Sequence, residues 1–136
     1  MALGARLAAA VQAGDVIALW GELGSGKTTL ARGFLRALGH EEEVPSPTFT
    51  LVQSYELASM IVWHFDLYRL TRPEEAWELG LEEALDGGIA LIEWPERLGP
   101  LLPPDRLDVT LAVIGDDRRS ASIEAHGARR NRTTMA

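Results

Sequence analysis

The chain has 136 residues, room for one domain rather than two. Its hydrophobic fraction of 46% and charged fraction of 24% are those of an ordinary globular protein, and with no cysteine there are no disulfides, cysteine-ligated metals or cysteine nucleophiles. The net charge of −7 disfavours tight, non-specific contact with a phosphate backbone, so DNA is not an expected partner.

The longest apolar runs, such as Val16 to Trp20, are too short to span a bilayer, and the start of the chain lacks the basic, then apolar pattern of a signal peptide. The expectation is a cytoplasmic protein with no membrane contact.

In chain order, Leu3 to Gln12 is Ala- and Leu-rich and predicts a helix stopped at Gly14. Asp15 to Trp20 is a short, nearly continuous apolar run, the pattern of a buried strand in a parallel sheet. A glycine-rich loop, Gly21 to Gly26, leads into a helix from Thr28 to Leu38, with Leu30, Phe34, Leu35 and Leu38 at helical spacing. Val44-Pro45-Ser46-Pro47 cannot be helix interior.

Thr48 to Glu56 and Met60 to Asp66 read as an antiparallel hairpin. Thr71-Arg72-Pro73-Glu74 has the form of a capping box. It opens a helix from Pro73 to Leu79 that breaks near Gly80 and resumes to Leu85. Ile89 to Trp94 is a second buried strand, and Leu107 to Ile114 with Ser120 to His126 form a final pair. Trp20 and Trp77 read as core. The organisation is one domain over residues 1–126 and a flexible tail over 127–136.

The most informative segment is Gly21-Glu22-Leu23-Gly24-Ser25-Gly26-Lys27-Thr28, which fits G-x-x-x-x-G-K-[ST] at every fixed position. Glycines let the backbone approach an anion, successive N–H groups form a nest, and the following helix adds its positive end. Lys27 is the single lysine beside 12 arginines, and it stands where a β/γ-phosphate ligand belongs. The Thr28 hydroxyl is placed to ligate Mg²⁺.

Such a loop needs a carboxylate near the metal, at the end of a neighbouring strand. Asp66 and Glu93 each end an apolar run. His64, two residues before Asp66, shares its strand face and reads as a packed, hydrogen-bonded residue rather than a base. A guanine-reading Asn/Thr-Lys-x-Asp motif would require a second lysine, so ATP is the expected nucleotide.

Four ordered segments carry a resemblance. They are the loop Gly21 to Thr29, Ser46-Pro47-Thr48-Phe49-Thr50-Leu51-Val52, His64-Phe65-Asp66-Leu67-Tyr68-Arg69-Leu70 and Ile92-Glu93-Trp94-Pro95-Glu96. Together they resemble the signatures of the TsaE (YjeE) family, small ATPases of threonylcarbamoyladenosine (t6A) formation on tRNA.

The resemblance implies a three-layer α/β P-loop NTPase fold, with a mostly parallel central sheet and antiparallel additions. It implies that Gly24, Ser25, Gly26, Lys27, Thr28 and Thr29 hold the ATP phosphates, and that Thr28 and Glu93 contact Mg²⁺. Thr48 would lie in a switch-like loop by the γ-phosphate. Asp66 would act near the metal or the attacking water, Trp94 would lie beside the nucleotide, and Arg118 near where the site closes. ADP would be the product and TsaB and TsaD the partners, with tRNA reached indirectly through them. Two other readings stay open on the residues alone: a small-molecule kinase, and a non-catalytic module whose docking is gated by ATP.

Overall fold

The computed structural model describes residues 2–22, 26–40, 51–57, 60–114 and 118–127. In chain order the elements are α1 (Ala2–Ala10), β1 (Val16–Trp20), α2 (Lys27–Ala37), β2 (Val52–Leu57), β3 (Met60–Asp66), α3 (Glu75–Glu78), α4 (Leu81–Leu85), β4 (Ile89–Glu93), a 3-10 segment (Pro95–Leu101), β5 (Arg106–Ile114) and β6 (Arg118–His126). The strands form one sheet of six in the order β2-β3-β4-β1-β5-β6.

The apolar runs at β1 and β4 are central because both of their faces are covered. Successive side chains alternate between two layers. Ile17, Leu19, Ile89 and Leu91 pack with Leu7, Leu30, Phe34 and Leu35 of α1 and α2. Val16, Ala90 and Ile92 pack with Ala76, Leu81 and Ala84 of α3 and α4 and with Leu98 of the 3-10 segment. This is the expected three-layer α/β architecture of a P-loop NTPase.

The two hairpins differ from the expectation in one respect. Each lends one strand to the parallel core rather than simply adding to its edge. β3 runs parallel to β4, and β5 runs parallel to β1, so only β2–β3 and β5–β6 are antiparallel.

Local differences have physical reasons. The turn before α3 is closed by Glu75, not Glu74: its Oε1 accepts from the Thr71 N–H at 2.9 Å, the Thr71 hydroxyl at 2.7 Å and the Arg72 N–H at 2.9 Å. Pro73 lengthens the turn by one residue, so helix proper begins at Glu75. Trp77 is 44% exposed and is not core, because α3 is a single short turn whose inward position goes to Ala76. Trp20 is half-buried, and its Nε1 donates to Asp108 Oδ1 at 2.8 Å.

Pro95–Leu101 forms two short 3-10 turns joined by a kink at Gly99 (φ 50°, ψ −123°), which apolar periodicity did not predict. Residues 48–50 of the expected first hairpin strand, and all of the expected tail but Gly127, lie outside the described residues. Among the described residues no helix is long and apolar enough to cross a membrane.

Candidate functional site

The site forms where β1, β3 and β4 end and α2 begins. Gly26 precedes α2 with φ 102°, a left-handed conformation that suits glycine, and as the N-cap residue it makes no side-chain cap bond. A helix start of this kind is suited to hold an anion on its first N–H groups. Of the remaining loop, Gly24 and Ser25 lie outside the described residues.

Lys27 opens α2 and is 5% exposed. Its Nζ donates to the Gly21 carbonyl at 2.7 Å and lies 3.3 Å from the centroid of the Trp94 ring. Burial pushes the ammonium below its usual range, while the negative charges of Glu93, Glu96 and Asp66 offset part of that shift. A carbonyl and a ring face satisfy a cation less fully than an anionic oxygen would.

The parallel register of β3 and β4 sets Asp66 opposite Glu93, at 6% and 2% exposure. Buried carboxylates this close to each other and to a lysine need hydrogen bonds or a cation. The Thr28 hydroxyl lies 3.1 Å and 3.2 Å from the two oxygens of Glu93. Glu93 Oε2 also lies 2.6 Å from His64 Nε2. Asp66 Oδ1 accepts the Tyr68 N–H at 3.1 Å, which turns the chain sharply at the strand end.

Trp94 follows Glu93 with φ 60° and ψ 51°, a left-handed conformation that costs a non-glycine residue about 1–2 kcal/mol. This bend carries its ring to Lys27 and to the ring of Tyr68, 4.9 Å away. Arg97 in turn lies 5.8 Å from the Tyr68 ring centroid.

The structure thus brings together Gly26, Lys27, Thr28, Asp66, Glu93 and Trp94. Thr29 is exposed on the first turn of α2. Arg118 begins β6, and Thr48 lies outside the described residues.

The donor set fits a hard divalent cation. A buried carboxylate and a threonine hydroxyl already touch at the N-terminus of a helix, with a second carboxylate opposite, and all are oxygen donors.

Two features went unread in the sequence. One is the His64–Glu93 contact, which spans 29 residues and exists only because β3 and β4 are parallel. The other is a cavity of about 220 Å³ beside Gly21, lined by Glu22, Leu111, Ala112 and Val113. Its apolar wall comes from the end of β5, where an exposed Val113 looked like ordinary strand alternation.

The sequence profile of the family described as "Threonylcarbamoyl adenosine biosynthesis protein TsaE" matches residues 1–121. The chain belongs to the TsaE family. The TsaE protein of Rickettsia felis is 42% identical over 118 residues, covering 86% of this chain and 69% of that protein. The TsaE protein of Bacillus subtilis is 40% identical over 127 residues, covering 92% and 79%. Both are named as tRNA threonylcarbamoyladenosine biosynthesis proteins. The crystal structure of Bacillus subtilis YdiB superposes with a TM-score of 0.80 at 35% identity, covering 96% of this chain and 80% of that one. The TsaE family match thus takes in the glycine loop and both strand-end acids, Asp66 and Glu93.

Proposed function

We propose that this chain binds Mg-ATP and hydrolyses it to ADP in support of tRNA threonylcarbamoyladenosine formation, working in the cytoplasm with TsaB and TsaD and reaching tRNA through them. The observation that carries the reading is the Thr28 hydroxyl held against the buried Glu93 carboxylate at the start of the loop-capped helix. A P-loop threonine and a strand-end acid hold the metal ion in enzymes of this mechanism. Family membership supports the pathway.

In this reading Thr28 and Glu93 hold Mg²⁺, which neutralises charge on the phosphate oxygens when bound. Lys27 gives up the Gly21 carbonyl and the Trp94 face for a phosphate oxygen. The N–H groups at the start of α2 stabilise charge in place, with no reorganisation at the moment of reaction. Asp66, opposite Glu93, orients a water for in-line attack. By the family resemblance Thr48 would act near the γ-phosphate, Gly24 and Ser25 would contribute to the phosphate nest, and Arg118 would act where the site closes over the nucleotide. The apolar cavity beside Gly21 takes the nucleoside end.

The test is Mg²⁺-dependent release of phosphate from ATP by the purified protein, alone and with a TsaB–TsaD pair, with Lys27→Ala as the control. Slow hydrolysis that the pair accelerates and the control abolishes is the expected result. A phosphorylated metabolite in place of free phosphate would make the protein a kinase. A Glu93→Gln variant that blocks hydrolysis yet still supports modification would make it an ATP-gated docking module.

A further inference from the structure

We infer that His64 is a positioning residue: its Nε2–H holds the Glu93 carboxylate against Thr28 and keeps it from swinging onto Lys27. The inference rests on the Mg-ATP reading above, and it assigns work to a buried histidine that the proposed mechanism does not use.

Glu93 is pulled in two directions. It ends β4, and the Lys27 ammonium is close enough to feel its charge. A glutamate left to itself would pair with that ammonium and neutralise both the metal ligand and the phosphate ligand. Instead its side chain leans back along the sheet. Asp66 is its register partner, so His64 lies two residues further back along β3, on the same face. The Glu93 carboxylate reaches that far, to 2.6 Å from His64 Nε2. With Oε2 held there, both oxygens stay within 3.2 Å of the Thr28 hydroxyl. Lys27 is left on the Gly21 carbonyl and the Trp94 ring.

The proton can be placed from the hydrogen bonds. An ionised carboxylate only accepts, so Nε2 carries the hydrogen. Nδ1 is buried and has no hydrogen-bond partner among the described residues. The Nε2–H is therefore the donor that holds Glu93. The ring is 0% exposed and lies inside the sheet edge, so it acts on the reaction only through Glu93. Histidine–carboxylate pairs of this kind orient ligands around metals elsewhere, and their loss weakens metal binding about 10–100-fold.

Two variants and one spectrum test this. His64→Gln keeps an N–H donor near the Nε2 position, whereas His64→Leu keeps bulk without a donor. Binding of a non-hydrolysable ATP analogue is titrated with Mg²⁺ and repeated in EDTA. The expected result is at least a tenfold rise in the Mg²⁺ needed by His64→Leu, a change within about threefold for His64→Gln, and metal-free affinities within about twofold of the parent. Parent-like Mg²⁺ dependence in His64→Leu would overturn the inference. So would a loss in His64→Gln as large as in His64→Leu, which would mean that the ring matters for packing alone.

Ring ¹⁵N–¹H correlation spectra of the nucleotide-free parent protein give the independent readout. They should show a hydrogen on Nε2; an Nε2 without one would overturn the inference even if His64→Leu failed to fold. A parent protein that binds no Mg-ATP would refute the proposed function, and the spectrum would still decide whether His64 holds Glu93.

Discussion

Replacing Gly4 by alanine sets two effects of similar size against each other. Gly4 lies in α1, and in a helix interior alanine is favoured over glycine by about 1 kcal/mol. Propensity alone therefore predicts a more stable protein. The structure predicts the reverse, because α1 crosses α2 at this residue. A Cβ on Gly4 would stand 2.7 Å from the Phe34 nitrogen, 2.9 Å from the Gly33 carbonyl carbon and 3.1 Å from the Leu30 oxygen. All three are backbone atoms, so no rotamer change and no trimming of the Phe34 side chain relieves the contact. The helices must part by roughly 0.5–1 Å, and a gap of that size forfeits about a quarter to a half of each facing dispersion contact. Overpacking of this kind costs about 1–3 kcal/mol.

Taking the upper half of that range, since the obstacle is rigid, and subtracting the propensity gain leaves a net loss of about 1–2 kcal/mol. For a chain of this length that corresponds to a fall in Tm of about 4–8 °C. Equilibrium urea unfolding is the assay, with the midpoint falling and the m-value unchanged. A Gly4→Ala protein as stable as the parent, or more so, would refute the close crossing of α1 and α2.

Other outcomes follow from single contacts. Hydrogen bonds from the Thr71 side chain, and then from the Arg72 and Thr71 backbone, lower the Glu75 carboxyl below its ordinary 4.5, so its charged form stabilises the fold above that pH and the benefit is lost as pH falls through the lowered value. Glu75→Gln should lower Tm at pH 7 by an amount that disappears in acid; a gap independent of pH would count against the charge. Asp108 accepts from Trp20 Nε1 at 2.8 Å and from Arg106 Nε at 2.9 Å, so Asp108→Ala should cost about 1–3 kcal/mol in urea unfolding, and Asp108→Asn, which can still accept from the indole, should cost less. At position 94 the left-handed backbone reverses the usual order of small residues: Trp94→Gly should unfold at higher urea than Trp94→Ala, by about 1 kcal/mol, and the opposite order would deny the strain.

The parts of the site that were legible beforehand are those whose chemistry is local. Gly26, Lys27 and Thr28 are consecutive, and their residue types follow from what a helix N-terminus and a phosphate require. Asp66 and Glu93 stood out because each is an acid at the end of an apolar run. What could not be read was anything that depends on which strands are neighbours. The His64–Glu93 bond needs β3 parallel to β4 in one register, and nothing in either run states that pairing. The parallel role of β3 and β5 was hidden because each also belongs to a hairpin, and the hairpin is the stronger local pattern. The turn at Thr71 failed by one residue, because Pro73 delays the helix and hands the accepting role from Glu74 to Glu75. Trp77 failed because a large aromatic was assumed to be buried, whereas a one-turn helix has a single inward position.

The placement of β1 also governs when this protein can fold. Of the six strands of the sheet β1 is made first, yet its two neighbours are Ile89–Glu93 and Arg106–Ile114. For most of synthesis, its five apolar residues have neither edge partner. Contacts so distant in sequence pay the full entropy of loop closure before they return any stabilisation, which slows folding and prolongs exposure of apolar strand edges. In sequence, the glycine-rich segment Gly21 to Gly26 follows that strand directly. A nascent chain arrested before residue 106 would therefore be a sticky, incompetent fragment rather than a smaller version of the fold.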